Sequence, residues 1–360
     1  MRNHPLVRWL LNQPAVRWLL KPVLAYREYK RLKMEYPQVV SALAQTRQTL
    51  SDTTAQLSDT RSHLATTLQE RDKARGTLAE WGRFAPPGHF YSPVPSKEDV
   101  AKHVAARERR AFLAPLPAIN SNDEFQLQVL DCLKPYYAAV PFQAEPVAGL
   151  LYHYNNPHYS YTDAIILFCM LNHFRPRRLI EIGSGFSTCA ILDVNRRCFD
   201  SRIQITSIEP YPELLHSLVE KSNDLLTIVT GKLQDTDTGI FDQLESGDIL
   251  FIDSTHISKL ASDVNHIIFE ILPRLKAGVI VQVHDIYLGF EYPDCWLEEG
   301  RAWNEAYLLR AFLEYNEHFR TLLFISYLQN KYEAWFAQNM PDTLLNKGGC
   351  FWMEKLRDGR

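Results

Sequence analysis

Two acidic residues and two histidines follow two strongly apolar segments in the second half of the chain. Asp253 and His256 lie in the motif FIDSTH, and His284 and Asp285 lie in the motif VHDI. Two carboxylates with a nearby histidine could hold a hard divalent cation, and a second histidine could remove a hydroxyl proton. A single histidine is more often a capping or packing residue, but the four together favour a site. We predict a metal at Asp253, Asp285 and His284, and catalytic roles for His256, as the base, and for Asp253.

A glycine-rich turn, EIGSGFST at residues 181–188, follows an earlier apolar segment. Gly183 and Gly185 allow the backbone to approach a ligand closely, and a helix that starts at Ser187 or Thr188 would direct its N-terminus at that ligand. Two glycines in this spacing are also common in structural turns. We predict that this segment binds a nucleotide cofactor through Glu181, Gly183, Ser184, Gly185 and Ser187.

Three side chains further along could complete the cofactor site. Glu209 ends the next apolar segment, in SIEP, where a carboxylate can accept hydrogen bonds from both ribose hydroxyls. Gln234 and Asp235 follow the third such segment, in GKLQD, where an adenine edge could be recognised, although a solvated loop explains them equally well. Asp253 is also expected to lie close enough to the cofactor to contact it.

The segments that must position these residues alternate between helical and strand patterns from about residue 160. Continuous apolar strands indicate a sheet covered on both faces, and the alternation indicates right-handed crossovers between parallel strands. The last two strand patterns, TLLFISYL and GCFWMEKL, have no strongly periodic helix between them, so the final strand should be antiparallel. We predict an α/β, doubly wound, mostly parallel seven-stranded Rossmann-like sheet with an antiparallel last strand, preceded by an N-terminal helical and coiled-coil extension.

The motifs EIGSGFST, SIEP, FIDSTH and VHDI, with the closing GGCFWMEK, resemble the class I S-adenosylmethionine-dependent methyltransferases over roughly residues 145–356. The similarity is greatest to the branch of macrolide-sugar O-methyltransferases and cephalosporin-hydroxylase-like proteins. The resemblance implies that the Gly183–Gly185 turn and Glu209 hold S-adenosylmethionine. It also implies a base at His256 and a divalent cation such as Mg²⁺ at Asp253 and Asp285. Metal-dependent relatives usually carry an acidic pair where this chain has His284–Asp285, and a nitrogen ligand is unusual for magnesium.

The resemblance implies methyl transfer to a hydroxyl group of a sugar, glycan or related small molecule. Residues 287–307 follow the fifth strand, where a substrate loop would lie, and could contact a sugar or form the core of a lid through Tyr292, Trp296, Arg301, Trp303 and Glu305. Residues 152–164 could close over the cofactor, with Tyr161 and Asp163 as candidates. Two alternatives are an NAD-dependent Rossmann dehydrogenase, which the missing third glycine disfavours, and a non-enzymatic coiled-coil assembly module.

The N-terminal third is organised differently. Residues 1–37 form a basic amphipathic segment with eight Lys/Arg and two Asp/Glu, and the repeat PLVRWLL and PAVRWLL suits either a membrane surface or packing on protein. Residues 38–82 carry leucines every seven positions with threonines three residues after each, which favours a short coiled coil and a homo-oligomer. A solitary exposed helix is the alternative. Residues 83–144 read as a Pro-rich connector and helical lid, and residues 145–360 as the methyltransferase domain.

Composition limits the partners and the compartment. A formal net charge of -3 gives no support for nucleic-acid binding. The six cysteines include no C-x-x-C pair, and no run of 18 apolar residues indicates a membrane span. Without a secretory signal pattern, we expect a cytoplasmic protein, with peripheral contact at the inner face of the membrane as a further expectation.

Overall fold

The computed structural model describes residues 5–81, 84–107, 116–219 and 226–358. The chain divides into two compact units, residues 1–86 and 87–360. The boundary falls in the Pro-rich stretch that the sequence indicates as a connector.

The first unit consists of helix α1, Pro5–Leu11, and the long helix α2, Pro14–Trp81. The two helices are separate because α2 begins at Pro14, and proline has no backbone N–H and is favoured at the start of a helix. No side chain of residues 14–77 is buried in this unit. No helix of the described residues is long and apolar enough to cross a membrane.

The second unit is an α/β structure. Its strands are β1 Arg178–Ile182, β2 Gln204–Glu209, β3 Leu226–Thr230, β4 Ile249–Ile252, β5 Ile280–Val283, β6 Phe319–Phe324 and β7 Phe351–Lys355. Its α-helices are α3 Lys97–Arg107, α4 Asp123–Tyr137, α5 Tyr161–Phe174, α6 Phe186–Cys198, α7 Glu213–Leu218, α8 Asp263–His266, α9 Leu272–Arg274, α10 Asp294–Glu298, α11 Glu305–Leu313, α12 Ile325–Lys331 and α13 Glu333–Asn339. A π-helical turn, Ile267–Ile271, joins α8 to α9.

The strands form one seven-stranded sheet in the order β3-β2-β1-β4-β5-β7-β6. Strands β1 to β5 are parallel, and β7 is antiparallel to both β5 and β6. The predicted fold class is therefore confirmed, including the antiparallel last strand. The insertion of β7 before β6 also distinguishes this sheet from the one expected of a dehydrogenase.

The chain between β6 and β7 differs from the sequence prediction. The segment TLLFISYL was predicted as a strand throughout, but β6 ends at Phe324 and α12 begins at Ile325. A short apolar run does not distinguish a strand from a buried helix, and here the five residues that begin α12 are all buried. The looser link expected between the last strands thus contains α12 and α13.

The segment predicted as a connector and helical lid contains helices α3 and α4, and its role as a lid stays a prediction. Helix α4 begins directly after Asn122, whose side chain makes no capping hydrogen bond. The sequence ARERRAFL, residues 105–112, has a helical pattern; α3 extends to Arg107, and residues 108–115 lie outside the described residues.

The core positions the strand ends. Every residue of β4 and β5 is buried, as are four of the five residues of β1, and α5 packs with ten buried residues. Because these three strands are adjacent and parallel, their carboxyl ends meet at one edge of the sheet, where ligands of doubly wound folds bind.

Candidate functional site

A cleft of about 700 Å³ opens at the carboxyl ends of β4 and β5. The four residues of the FIDSTH and VHDI motifs that were predicted to meet all line it: Asp253, His256, His284 and Asp285. The strand topology thus brings together two motifs that are about thirty residues apart in the sequence.

The glycine turn, residues 183–185, lies beside this cleft. The backbone of Gly183 has φ +92° and donates a hydrogen bond to Ile208. A Cβ atom on Gly183 would lie 2.1 Å from the carbonyl oxygen of Asp253, so only glycine fits there. Gly185 is the N-cap of α6, which begins at Phe186, one residue earlier than predicted, and its N–H donates to Thr188 Oγ1 at 3.0 Å.

Glu181 lies inside the protein beneath the turn. Its fully buried carboxylate accepts hydrogen bonds from the hydroxyls of Ser187, Thr188 and Ser207, at 2.6–2.7 Å. Burial raises the pKa of Glu181 to about 7 despite these three donors. The side chains of Glu181 and Ser187 are therefore used within the protein, and their contact with a cofactor stays a prediction.

Glu209 lies at the glycine turn, as the sequence suggested. Its Oε2 accepts from Ser184 Oγ at 3.1 Å and its Oε1 accepts from the Tyr211 N–H at 2.8 Å. The Glu209 side chain is half-buried, so part of it stays accessible to a ligand. The structure thus brings Ser184 and Glu209, which are 25 residues apart, into one place.

Gln234 and Asp235 lie on a short 3₁₀ turn, Leu233–Asp235, after β3. The Gln234 amide donates to the Ala261 carbonyl at 2.9 Å, and Asp235 is exposed. Neither side chain lines the cleft. Their predicted recognition of adenine stays a prediction.

Asp253, His256 and Asp285 form what we call the acidic–histidine cluster. One candidate ligand atom from each lies within 4.8 Å of the others. His256 Nε2 is 3.4 Å from Asp253 Oδ1 and 3.6 Å from Asp285 Oδ2. His256 and Asp285 both have positive φ, near +60°, a conformation that is uncommon outside glycine and clusters at functional sites.

His284 lies next to this cluster. Its Nδ1 is 3.4 Å from Asp253 Oδ1 and 3.6 Å from Asp285 Oδ1, and its Nε2 is 3.6 Å from Asp163 Oδ2. Both ring nitrogens are buried without a hydrogen-bond partner, and so is Asp163 Oδ1. Buried polar atoms are almost always hydrogen-bonded, so these three atoms suit a bound ion or ligand.

Glu305 is the residue whose role sequence reasoning missed. It was predicted to contact a sugar or to form the core of a lid; in the structure it is 2% exposed, and its Oε2 is 2.8 Å from His256 Nδ1. Its Oε1 accepts from Ser254 Oγ at 3.1 Å. No local motif signals this contact, because the two partners are 49 positions apart.

The charges of the cluster are mutually dependent. Burial lowers the pKa of His256, but hydrogen bonds to Asp253 and Glu305 outweigh it and raise the pKa to about 10. Burial raises the pKa of Asp253, yet the two histidines hold it well below its usual value. Burial raises the pKa of Asp285. At neutral pH the site therefore holds a proton on His256 between carboxylates.

The loop after β5 supplies the aromatic wall of the cleft. The guanidinium of Arg301 lies 4.5 Å from the Trp296 ring and 5.0 Å from the Trp303 ring, and all three residues line the cleft. The Trp303 ring is 4.4 Å from that of His256. Tyr292, in contrast, is buried, and its hydroxyl accepts from the Ala306 N–H, so it belongs to the core of the loop.

The two candidate residues of the segment 152–164 lie in different places. Asp163 lines the cleft next to His284. Tyr161 stacks on Tyr154 with ring centroids 4.2 Å apart, and it does not line the cleft.

Comparison with known proteins shows what this arrangement is similar to. Residues 180–286 match the model of a methyltransferase domain. An uncharacterised protein of Archaeoglobus fulgidus is 34% identical over 174 residues, which are 46% of this chain and 76% of that protein.

Two solved structures are similar at lower identity. One is an S-adenosylhomocysteine-bound methyltransferase of Podospora anserina, with 14% identity and a TM-score of 0.37 over 74% of this chain and 99% of that one. The other is an O-methyltransferase of Streptomyces achromogenes involved in tomaymycin synthesis, in complex with S-adenosylmethionine. It has 12% identity and a TM-score of 0.37 over 66% of this chain and 92% of that one.

Proposed function

This chain belongs to the class I S-adenosylmethionine-dependent methyltransferases, in one family with the archaeal protein, and we propose that it methylates a hydroxyl group of a sugar or related small molecule. The observation that carries the proposal is the acidic–histidine cluster at the carboxyl ends of β4 and β5. The cluster adjoins the glycine turn, because the Asp253 carbonyl lies against Gly183.

The cofactor would lie over the glycine turn. The lack of a Cβ at Gly183 and Gly185 lets the ligand approach the backbone, and the N-terminus of α6 faces the same space. The Glu209 carboxylate would accept hydrogen bonds from the ribose hydroxyls, with Ser184 holding it in place. Asp253 would lie next to the methyl donor, and Gln234 and Asp235 would meet the adenine.

A divalent cation fits the cluster. Asp253 and Asp285 offer hard oxygen ligands, and the His284 nitrogens are buried without hydrogen-bond partners. His256 Nε2 faces the same two carboxylates. A bound cation would act as a Lewis acid that lowers the pKa of the acceptor hydroxyl.

The residues of the chain would then move one proton and align two reactants. His256 Nε2, neutral once it has lost its own proton, takes the proton of the acceptor hydroxyl. The acceptor oxygen forms a bond to the methyl carbon as the carbon–sulfur bond breaks, and the electron pair stays on sulfur in neutral S-adenosylhomocysteine. Holding the reactants in line would supply much of the rate.

The aromatic wall favours a sugar as the acceptor. Trp296 and Trp303 present indole rings beside the reaction centre, and Arg301 stacks on both. Sugar rings carry apolar C–H faces that suit such a wall, while Asp163 and Asn346 add hydrogen-bonding groups to the cleft. A sugar hydroxyl placed on this wall would lie near His256.

The test is methyl transfer from S-adenosylmethionine with a labelled methyl group, offered to methyl glycosides, catechol, primary amines and thiols, with and without Mg²⁺. We expect label in an alkali-stable ether of a hydroxyl acceptor, and loss of transfer in His256→Gln. Calorimetric titration should show binding of S-adenosylmethionine but not NAD, weakened about tenfold in Glu209→Gln. Transfer to amines or thiols alone would contradict the choice of acceptor.

We also propose that the leucine row of α2 mediates self-association. Leu43, Leu50, Leu57 and Leu64 are 54–71% exposed and recur every seven residues. The threonines three positions after each donate their hydroxyls to the carbonyl four residues back: Thr46, Thr53, Thr60 and Thr67. Burying these threonines against a second copy would therefore leave no hydroxyl unpaired.

Sedimentation equilibrium of the full chain tests this proposal. We expect a dimer that dissociates in the double variant Leu50→Asp with Leu57→Asp. The control Ala55→Asp adds one charge to the same helix, away from the leucine row, and should leave the dimer intact. A monomeric wild-type chain would contradict the proposal.

For residues 1–37 we propose contact with an anionic membrane surface. Trp9 and Trp18 are 62% and 71% exposed, and the segment carries a local excess of Lys and Arg. The full chain should sediment with vesicles that contain phosphatidylserine but not with neutral vesicles, and a Trp9→Ala, Trp18→Ala variant should bind less. Equal recovery with both kinds of vesicle would contradict this contact.

A further inference from the structure

The contacts of Glu305 indicate that this residue acts through His256. Glu305 begins α11, at the end of the loop that follows β5, and its side chain is 2% exposed. Its two carboxylate oxygens have separate partners, the His256 ring at 2.8 Å and the Ser254 hydroxyl at 3.1 Å. An unpaired buried carboxylate is costly, so these two contacts fix its position.

The backbone holds His256 to the same place. The N–H groups of Asn304 and Glu305 both donate to the His256 carbonyl, at 3.0 and 3.1 Å. The Trp303 ring lies 4.4 Å from the imidazole on another side. Consecutive residues 303–305 thus hold His256 both at its ring, through Trp303 and Glu305, and at its backbone carbonyl, while its Nε2 faces Asp253 and Asp285.

We propose that Glu305 is a positioning residue, which keeps the proton on His256 Nδ1 and directs Nε2 at the reaction centre. A carboxylate accepts but does not donate, so it specifies N–H at the nitrogen it contacts. Nε2 then remains the atom that takes a proton or binds a cation. The inference rests on the proposed function, in which His256 Nε2 acts in the cleft.

Three variants separate positioning from mere structural support. Glu305→Gln keeps the size and one acceptor oxygen but removes the charge, and Glu305→Ala removes the contact. Glu298→Gln makes the same charge change at an exposed residue outside the cleft and is the control. Circular dichroism would establish that each variant is folded.

Proton NMR of the full chain tests the contact without requiring activity. A charge-assisted Nδ1–H···carboxylate bond should give a resonance far downfield of the amides. It should be present in wild type and in Glu298→Gln, and absent in both His256→Gln and Glu305→Ala. Persistence of that resonance in Glu305→Ala, or its absence from wild type, would overturn the proposal even if methyl transfer were confirmed.

Kinetics and metal binding measure the consequence. Loss of a residue that orients a catalytic or ligating histidine costs about 10–100-fold. For Glu305→Ala we expect a fall of that size in kcat and in Mn²⁺ affinity. Electron paramagnetic resonance would measure the Mn²⁺ affinity. The KM for S-adenosylmethionine should be unchanged, and Glu305→Gln should recover part of the loss. A KM that changes alone would overturn the assignment, and no methyl transfer by wild type would instead refute the proposed function.

Discussion

The glycine turn and the acidic–histidine cluster lie at the same edge of the sheet but differ in how their polar groups are satisfied. Beneath the turn, Glu181 has three hydroxyl donors, and Glu209 has a hydroxyl and a backbone donor. In and beside the cluster, His284 and Asp163 keep buried atoms without hydrogen-bond partners, and His256 and Asp285 have positive φ. The carboxylates at the turn thus have hydrogen-bond donors in the folded chain, whereas buried polar atoms in and beside the cluster do not have partners.

The largest effect expected is the loss of stability when a side chain is added at the glycine turn. Gly183→Ala would place a Cβ 2.1 Å from the Asp253 carbonyl oxygen at a φ of +92°, so we expect a loss of about 4 kcal/mol in the free energy of unfolding. Gly149→Ala, at φ +85° with nothing within 4 Å, should lose only about 1 kcal/mol. Chemical denaturation of both variants measures the difference, and equal losses would show that the contact with Asp253 does not matter.

The completed network beneath the turn should make stability depend on pH. Folding raises the pKa of Glu181 from 4.5 to about 7, so its protonated form is favoured in the folded state. The free energy of unfolding should therefore fall as pH rises from about 4.5 to 7, by roughly 3 kcal/mol at 1.4 kcal/mol per unit. Denaturant midpoints measured across this range should show the fall in wild type and a smaller one in Glu181→Gln. Identical pH profiles would refute the shift.

The cluster should respond to removal of one charge in function more than in stability. In Asp285→Asn the side chain keeps its size but loses a ligand oxygen of full charge, so we expect the affinity for Mn²⁺ and the rate of methyl transfer to fall about 100-fold. The matched substitution Asp294→Asn, at an exposed residue that does not line the cleft, should change neither. Unchanged Mn²⁺ affinity in Asp285→Asn would remove this residue from the metal site.

The smallest effect expected is a gradual change of cation affinity with pH. The proposed cation would repel the proton on His256, whose pKa is raised to about 10 by Asp253 and Glu305, and the pKa of the neighbouring His284 is raised as well. Cation affinity should therefore increase as pH rises below 10, by up to about tenfold per unit for each proton released. Calorimetry with Mn²⁺ at three pH values measures the slope. In His256→Gln one proton fewer should be released on cation binding, so the logarithm of the affinity should rise less steeply with pH. An unchanged slope would exclude a contribution of His256.

The sequence predicted the fold and the meeting of the two motifs because both follow from local patterns. Apolar runs identify the strands, and parallel neighbours place Asp253 and Asp285 at one edge. The tight turn expected at Gly183 does require a residue without a Cβ, whereas its contact with a cofactor stays a prediction.

Contacts that depend on the path of a long loop were not predictable. Glu305 and Tyr292 both lie in the loop after β5 or at its end, and their aromatic and acidic character suggested either a sugar site or the core of a lid. One instead contacts His256 and the other the backbone of Ala306. Composition gives residue types on a loop, but not which of them face inward. The start of α12 at Ile325 was missed for a related reason, because burial on all sides removes the periodicity that separates helix from strand.

The position of β7 has a consequence for how the protein is made. Strand β7 lies between β5 and β6, although it follows both in the chain. Neither neighbour can complete its backbone pairing until residues 351–355 have left the ribosome, and the N–H of Ile286, next to Asp285, is bound by the carbonyl of Gly349. During synthesis the edge of β5 stays open until residues 351–355 have emerged, so the chain next to Asp285 gains its last backbone hydrogen bond late.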